Sequence, residues 1–224
     1  MVNMHALTYS EREKRLFSGR RHYLSELRKN LQSKNSCITA PAGFGKKAIL
    51  KELIEKEKTL TSFYFDLSRA SISPESFAVE FIANICNTSA DIKTLLDLKL
   101  NTGAKEIIKT IDNELQKIKP DQKLLIEQTL KFPEQYSTHL KKKILIILDN
   151  FQDFSLLNNY AQVKKATQIF SDTIRSQSVR YILSTSRPDK VIDSEFACIT
   201  IEPLSKEESS DMIEKILSKT DARI

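Results

Sequence analysis

Residues 144–148 read Ile-Leu-Ile-Ile-Leu, an unbroken aliphatic run that ends at Asp149 and Asn150. A strand with no polar position has no face to give to water, so both of its faces need covering. That requirement points to a parallel sheet with helices packed on either side. The run is far short of the roughly 20 residues that a membrane-spanning helix needs. Lys141-Lys142-Lys143 stand directly before it and read as solvated gatekeepers that limit aggregation of so apolar a strand.

The rest of the chain alternates to match. Residues 20–30 carry Tyr23, Leu24 and Leu27 at helical spacing. Residues 36–39 form a short apolar strand, and residues 46–58 form a helix through Ile49, Leu50, Leu53 and Ile54. A second strand covers 61–66. The helix after it starts at Ser73-Pro74-Glu75, with Pro at the first helical position. Residues 88–140 are polar and helical in pattern, broken near Asn101-Thr102-Gly103 and Lys119-Pro120-Asp121. The aliphatic run is the third strand, a helix is expected over 160–175, and strands follow at 179–185 and 197–201. Ser205 with Glu208 three positions on forms a capping box that opens a last helix over 206–217. The expected organisation is one α/β domain over 1–204 with a short helical appendage over 205–224.

Composition excludes several classes. Hydrophobic residues make up 40% and charged residues 29%, too apolar for a disordered chain. A net charge of +6 favours polyanionic partners such as nucleotides or nucleic acid, though weakly. Cys37, Cys86 and Cys198 lie far apart in apolar surroundings and read as buried free thiols of a reducing compartment. His5, His22 and His139 are equally scattered, so no His/Cys metal site is expected. The first residues, with Glu11, Arg12, Glu13, Lys14 and Arg15, lack an apolar leader core. A cytoplasmic protein without membrane contact is the expectation.

The first strand runs into Ala40-Pro41-Ala42-Gly43-Phe44-Gly45-Lys46-Lys47, and the helix begins at the lysine. The phosphate-binding loop of P-loop NTPases is G-x-x-x-x-G-K-[ST] in this strand-to-helix context. Here the closing Gly-Lys is present, Ala40 replaces the first glycine, and Lys47 replaces the hydroxyl residue. Backbone N–H groups of residues 43–46 and the helix N-terminus would face phosphate, and Lys46 would reach the β- and γ-phosphates. The bland alternative is an ordinary turn that needs two glycines. At the end of the third strand, Asp149 stands where such proteins place the acid that holds Mg²⁺. The bland alternative there is a turn or capping residue.

Further segments support a resemblance. Phe17-Ser18-Gly19-Arg20-Arg21 with Leu24, Glu26 and Leu27 resembles the F-x-G-R-x-x-E-L-x-x-L segment of AAA+ and STAND ATPases, which packs near adenine. Leu148-Asp149-Asn150-Phe151-Gln152 resembles the D-E-F-Q form of the Mg²⁺ strand in archaeal-type ATPases of the STAND group. Ile182-Leu183-Ser184-Thr185-Ser186-Arg187 resembles their T-T-R sensor strand, and Ile201-Glu202-Pro203-Leu204-Ser205-Lys206-Glu207-Glu208 resembles the link into their helical lid. The resemblance spans about residues 16–217. It implies a three-layer sandwich around a five-stranded parallel sheet of order 5-1-4-3-2, a helical insert between the second and third strands, and a lid cut short. It further implies ATP and Mg²⁺ as ligands and a switch controlled by nucleotide state. The residues it places at nucleotide are Arg20, Pro41, Ala42, Gly43, Phe44, Gly45, Lys46, Lys47 and Ala48. Asp149 would hold the metal, Asn150 would stand at the attacking water, and Arg187 would sense the γ-phosphate.

Two departures bear on chemistry. Lys47 stands where a hydroxyl ligates the metal, and Asn150 where the family carries a catalytic carboxylate. Losing a general base typically costs ~10²–10⁴-fold in rate. The expectation is a domain that binds ATP and hydrolyses it slowly or not at all, working through a protein partner or self-association. A degenerate P-loop scaffold for protein–protein interaction is the alternative. A DNA-binding, initiator-like ATPase ranks lower, because no winged-helix segment fits after residue 208.

Overall fold

The structure, a computed structural model, describes residues 17, 19–69, 72–174 and 178–218. The expectations that fall on residues 1–16, Ser18, Arg175 and 219–224 lie outside the described residues.

Strand parity divides the molecule into layers. In β3 (Ile144–Asp149) every position is buried. Ile144, Ile146 and Leu148 enter one hydrophobic cluster, while Leu145 and Ile147 enter the other. Successive side chains of a strand point to opposite faces, so one strand feeds both cores. The five described strands, β1 (Ser36–Thr39), β2 (Thr61–Asp66), β3, β4 (Val179–Thr185) and β5 (Ala197–Thr200), pair in parallel in the order β2-β3-β4-β1-β5. This is the expected 5-1-4-3-2 order, read from the other edge.

One face is covered by α1 (Arg21–Asn30) and α2 (Lys46–Lys56), through Tyr23, Leu24, Leu27, Ile49, Leu50 and Leu53. The opposite face is covered by the helices inserted between β2 and β3: α3 (Pro74–Cys86), α4 (Ile92–Leu96), α5 (Thr102–Leu115) and α6 (Gln122–Leu140). Their boundaries follow local chemistry. Ser73, Asn101 and Asp121 each accept a backbone N–H in the first turn of α3, α5 and α6. An aromatic group in this layer joins Phe65, Phe77, Phe81 and Phe154, with ring centroids 5.3–5.5 Å apart for three of its pairs.

The region after β3 differs from the expected helix over 160–175. A 3₁₀ helix spans Phe151–Asn159, and α7 starts later, at Ala166–Thr173. Phe151, Phe154 and Leu157 recur every third residue, the period of a 3₁₀ turn, and all three are buried. Lys165 then takes a left-handed conformation, and Asn158 Oδ1 accepts the Ala166 N–H at 2.7 Å. A short helix α8 (Lys190–Glu195), capped by Asp189, was not expected. The last described helix, α9 (Lys206–Leu217), has the expected capping box, with Ser205 N donating to Glu208 at 2.9 Å and Glu208 N donating to Ser205 at 3.1 Å.

The cysteines depart from expectation in one respect. Cys37 is buried and Cys86 partly so, whereas Cys198 is exposed. Its strand β5 lies at the sheet edge, beside β1, where Cys198 pairs in register with Cys37. Residues 141–143 are exposed, as a gatekeeper run should be. Among the described residues, no helix is long and apolar enough to cross a membrane.

Candidate functional site

Parallel pairing carries the ends of β1, β2, β3 and β4 to one rim of the sheet, the rim where open α/β folds bind ligands. The loop after β1 is shaped by two left-handed residues, Gly43 and Gly45, both at φ +85°. A Cβ on Gly43 would meet nothing within 4 Å, so the demand there is conformational rather than spatial. Gly45 is the N-cap of α2, whose first N–H groups have no partner within the helix. The Lys46 ammonium curls into the loop and donates to Ala40 O at 2.5 Å and Pro41 O at 3.1 Å. Burial lowers its pKa, and the nearby charge of Asp149 acts in the opposite sense. Ala42 is exposed beside it.

Parity also builds the acidic part. Tyr64 and Ile147 belong to the core under α2, so Asp66 and Asp149, two positions further on, face α2 as well. The two aspartates are register partners at the ends of β2 and β3. Asp149 accepts the Tyr64 hydroxyl at 2.6 Å on Oδ2 and the Asn150 N–H at 3.0 Å on Oδ1. Asp66 Oδ1 accepts Ser68 N at 3.1 Å, Ser68 Oγ at 2.7 Å and Asn150 Nδ2 at 2.8 Å. Its Oδ2 lies 3.7 Å from Lys47 Nζ, which is also 5.7 Å from the Tyr64 ring centroid. Burial alone would raise the Asp66 pKa; the Ser68 and Asn150 hydrogen bonds and the Lys47 charge outweigh it and hold the carboxyl below its usual range.

Asn150 is left-handed at φ 55° and spends its amide on Asp66. Its Oδ1 accepts Gln152 Nε2 at 3.5 Å. Gln152 Oε1 accepts the Ser186 N–H at 3.1 Å and lies 3.3 Å from Thr185 Oγ1. Thr185 in turn accepts the Arg187 N–H at 3.2 Å. A continuous polar chain thus crosses the rim from β2 through β3 to β4. The Arg187 side chain is exposed. Its charge reaches Asp153, whose carboxyl is pushed up by burial and by Asp66 and pulled down by Arg187.

On the other side of the loop, a cavity of about 440 Å³ is lined by Phe17, Arg20, Phe44, Ala48, Pro203 and Met212 among others. Arg20 closes it. It is 6% exposed, donates to Glu202 O at 2.5 Å and Phe44 O at 3.2 Å, and lies 5.6 Å from the Tyr23 ring centroid. Glu202 N donates to the Tyr23 hydroxyl at 2.9 Å. The segment before α1, the glycine loop and the link before α9 are therefore tied together by one guanidinium.

Of the expected residues, Arg20, Gly43, Phe44, Gly45 and Ala48 line the cavity. Lys46, Lys47, Asp149 and Asn150 gather at the strand ends, and Arg187 joins them through its N–H, at the end of the polar chain just described, and through its charge on Asp153. Sequence reading missed Tyr64, Asp66 and Ser68. The signal for Asp66 was available: it ends an apolar strand, as Asp149 does.

P-loop NTPases hold Mg²⁺ with the loop hydroxyl and the strand-end acid. That donor set does not fit here. The hydroxyl position is an ammonium, which has no lone pair for a metal and sets a positive charge 3.7 Å from Asp66. Among the described residues, no group of three or more His, Cys, Asp or Glu could hold a metal ion.

No family model matches the sequence, and no curated protein matches it. Among solved structures, the Walker-type ATPase PABY2304 of Pyrococcus abyssi is similar, with a TM-score of 0.60 and 11% identity over 93% of this chain and 60% of that one. A chain of the E. coli MS115-1 HORMA:CdnC:Trip13 complex is similar too, with a TM-score of 0.57 and 10% identity over 95% of this chain and 73% of that one. The chain spans about 60% of the length of the Walker-type ATPase. At such identities the likeness concerns the fold, which is that of a P-loop NTPase.

Proposed function

We propose that this chain binds ATP and uses it as a conformational signal, with hydrolysis slow or absent. One observation carries the reading. The glycine loop, the segment before α1 and the link before α9 meet around a single cavity beside the N-terminus of α2. Its apolar walls, Phe17, Phe44, Pro203 and Met212, suit a nucleobase. The α2 N-terminus and Lys46 suit the phosphates. Arg20 couples the loop to the link, so a phosphate that moves the loop would also move α9. The STAND-like resemblance of the sequence agrees with a switch, with residues 1–204 as the nucleotide domain and 205–224 as the start of a lid.

Slow turnover follows from Asn150. Its amide is bonded to Asp66, and an amide cannot take a proton from water. A scaffold that acts through protein contacts alone is the second reading, favoured by the ion pair that Lys47 already makes with Asp66. Isothermal titration with ATP separates the two. The nucleotide reading expects saturable binding that Lys46→Ala abolishes. Equal heats for both proteins would remove the loop from any role.

A further inference from the structure

We propose that the Lys47 ammonium serves as the built-in counter-cation of this site, so that the chain holds a nucleoside triphosphate without a divalent metal. The inference rests on the nucleotide reading above and adds the ionic form of the ligand.

The position after the loop lysine is where an oxygen ligand of Mg²⁺ belongs. A lysine there has three donors and no acceptor, so it cannot ligate a cation and repels one. Its placement is specific. Lys47 Nζ is 3.7 Å from Asp66 Oδ2 and 5.7 Å from the Tyr64 ring centroid. Tyr64 is the residue whose hydroxyl donates to Asp149. The ammonium is thus brought to Asp66, the register partner of Asp149 at the strand ends.

The acids are arranged to suit. Mg²⁺ demands a near-octahedral set of oxygens and gives up its water reluctantly. Asp149 spends Oδ1 on Asn150 N and Oδ2 on the Tyr64 hydroxyl. Asp66 spends Oδ1 on Ser68 and Asn150 and Oδ2 on Lys47. These bonds hold both carboxylates in place without saturating Asp149, so the ammonium at residue 47 is what disfavours a metal here. Lys47 itself is half exposed, with 46% of its side-chain surface accessible, so it can turn from Asp66 towards a phosphate while Lys46 stays in the loop. Two adjacent ammonium groups and the α2 N-terminus then share the anionic charge.

The test is ATP binding by isothermal titration, in saturating Mg²⁺ and in excess EDTA, for the wild type and for Lys47→Thr. The wild-type affinities should agree within about threefold, whereas Lys47→Thr should bind about tenfold more weakly in EDTA and recover with Mg²⁺. A wild-type affinity that rises tenfold or more with Mg²⁺ would overturn the inference and leave the nucleotide reading standing. Absence of binding in both buffers would overturn the nucleotide reading, and this inference with it. The wild-type comparison decides even if the variant fails to fold.

Discussion

Replacing Arg20 with alanine should loosen the whole nucleotide side of the molecule. The guanidinium is 6% exposed and makes two hydrogen bonds, to Glu202 O and Phe44 O. A hydrogen bond from a charged group contributes about 1.5–3 kcal/mol, and the contact with the Tyr23 ring adds about 0.5–1 kcal/mol. Against this, the freed side chain no longer loses roughly 2 kcal/mol of rotamer entropy. The net loss is about 1.5–5 kcal/mol, which for a chain of this size lowers the melting temperature by roughly 3–20 °C. Lysine at the same position keeps the charge but cannot reach two carbonyls with one planar fork, so it should recover less than half of the loss. Scanning calorimetry measures both. Tyr23 holds the same Glu202 from its N–H side, so Arg20→Ala and Tyr23→Phe should be non-additive in a double-mutant cycle. If Arg20→Ala melts within about 1–2 °C of the wild type, a shift worth under roughly 1 kcal/mol, Arg20 does not clamp the loop to the link.

Two other substitutions probe the same architecture. Gly19→Ala should destabilise more than Gly43→Ala in urea unfolding: both residues have positive φ, but a Cβ on Gly19 would lie 2.7 Å from Glu208 Cδ and 2.9 Å from Leu204 Cδ2, while on Gly43 it meets nothing within 4 Å. Equal losses would show that backbone strain alone matters. Asp66 gives a pH prediction: its folded pKa lies below the ordinary 3.8, so its contribution is complete above that value and disappears as pH falls through the lower folded pKa. Asp66→Asn should therefore flatten the acid limb of the stability profile below pH 3.8; an unchanged limb in acid denaturation would count against the assigned hydrogen bonds.

Most of the fold was legible because its strands and caps are local. The five aliphatic residues before Asp149 required a covered sheet, and Ser73 and Ser205 announced helix starts within three residues of chain, whereas Asn101 and Asp121, legible only as breaks, turn out to cap α5 and α6. The 3₁₀ helix over Phe151–Asn159 was not legible, because an apolar residue at every third position reads equally well as an α-helical face. Of the site, the loop showed itself by spacing. Asp66 offered the same strand-end signal as Asp149, but its pairing with Asp149 was not legible, because β2 joins β3 across an insert of 77 residues between Asp66 and Ile144. Cys198 was read as buried because its neighbours are apolar, although the sheet order implied by the resemblance already placed β5 at an edge.

Asn150 and Lys47 gain their meaning together. An acid at residue 150 would stand beside Asp66 and Asp149 and add a third negative charge to the rim, which only a metal or another cation could offset. The amide removes that charge and donates to Asp66, while Lys47 supplies a positive one to the same carboxylate. Each departure thus reduces the electrostatic cost that a divalent ion would otherwise relieve. Restoring one without the other should then be worse than restoring both: Asn150→Glu alone crowds three carboxylates, and Lys47→Thr alone leaves Asp66 without its ammonium. The pair Lys47→Thr with Asn150→Glu rebuilds a charge arrangement that calls for Mg²⁺, and the coupling between the two sites, read from their stabilities with and without the metal, is the quantity that this arrangement fixes.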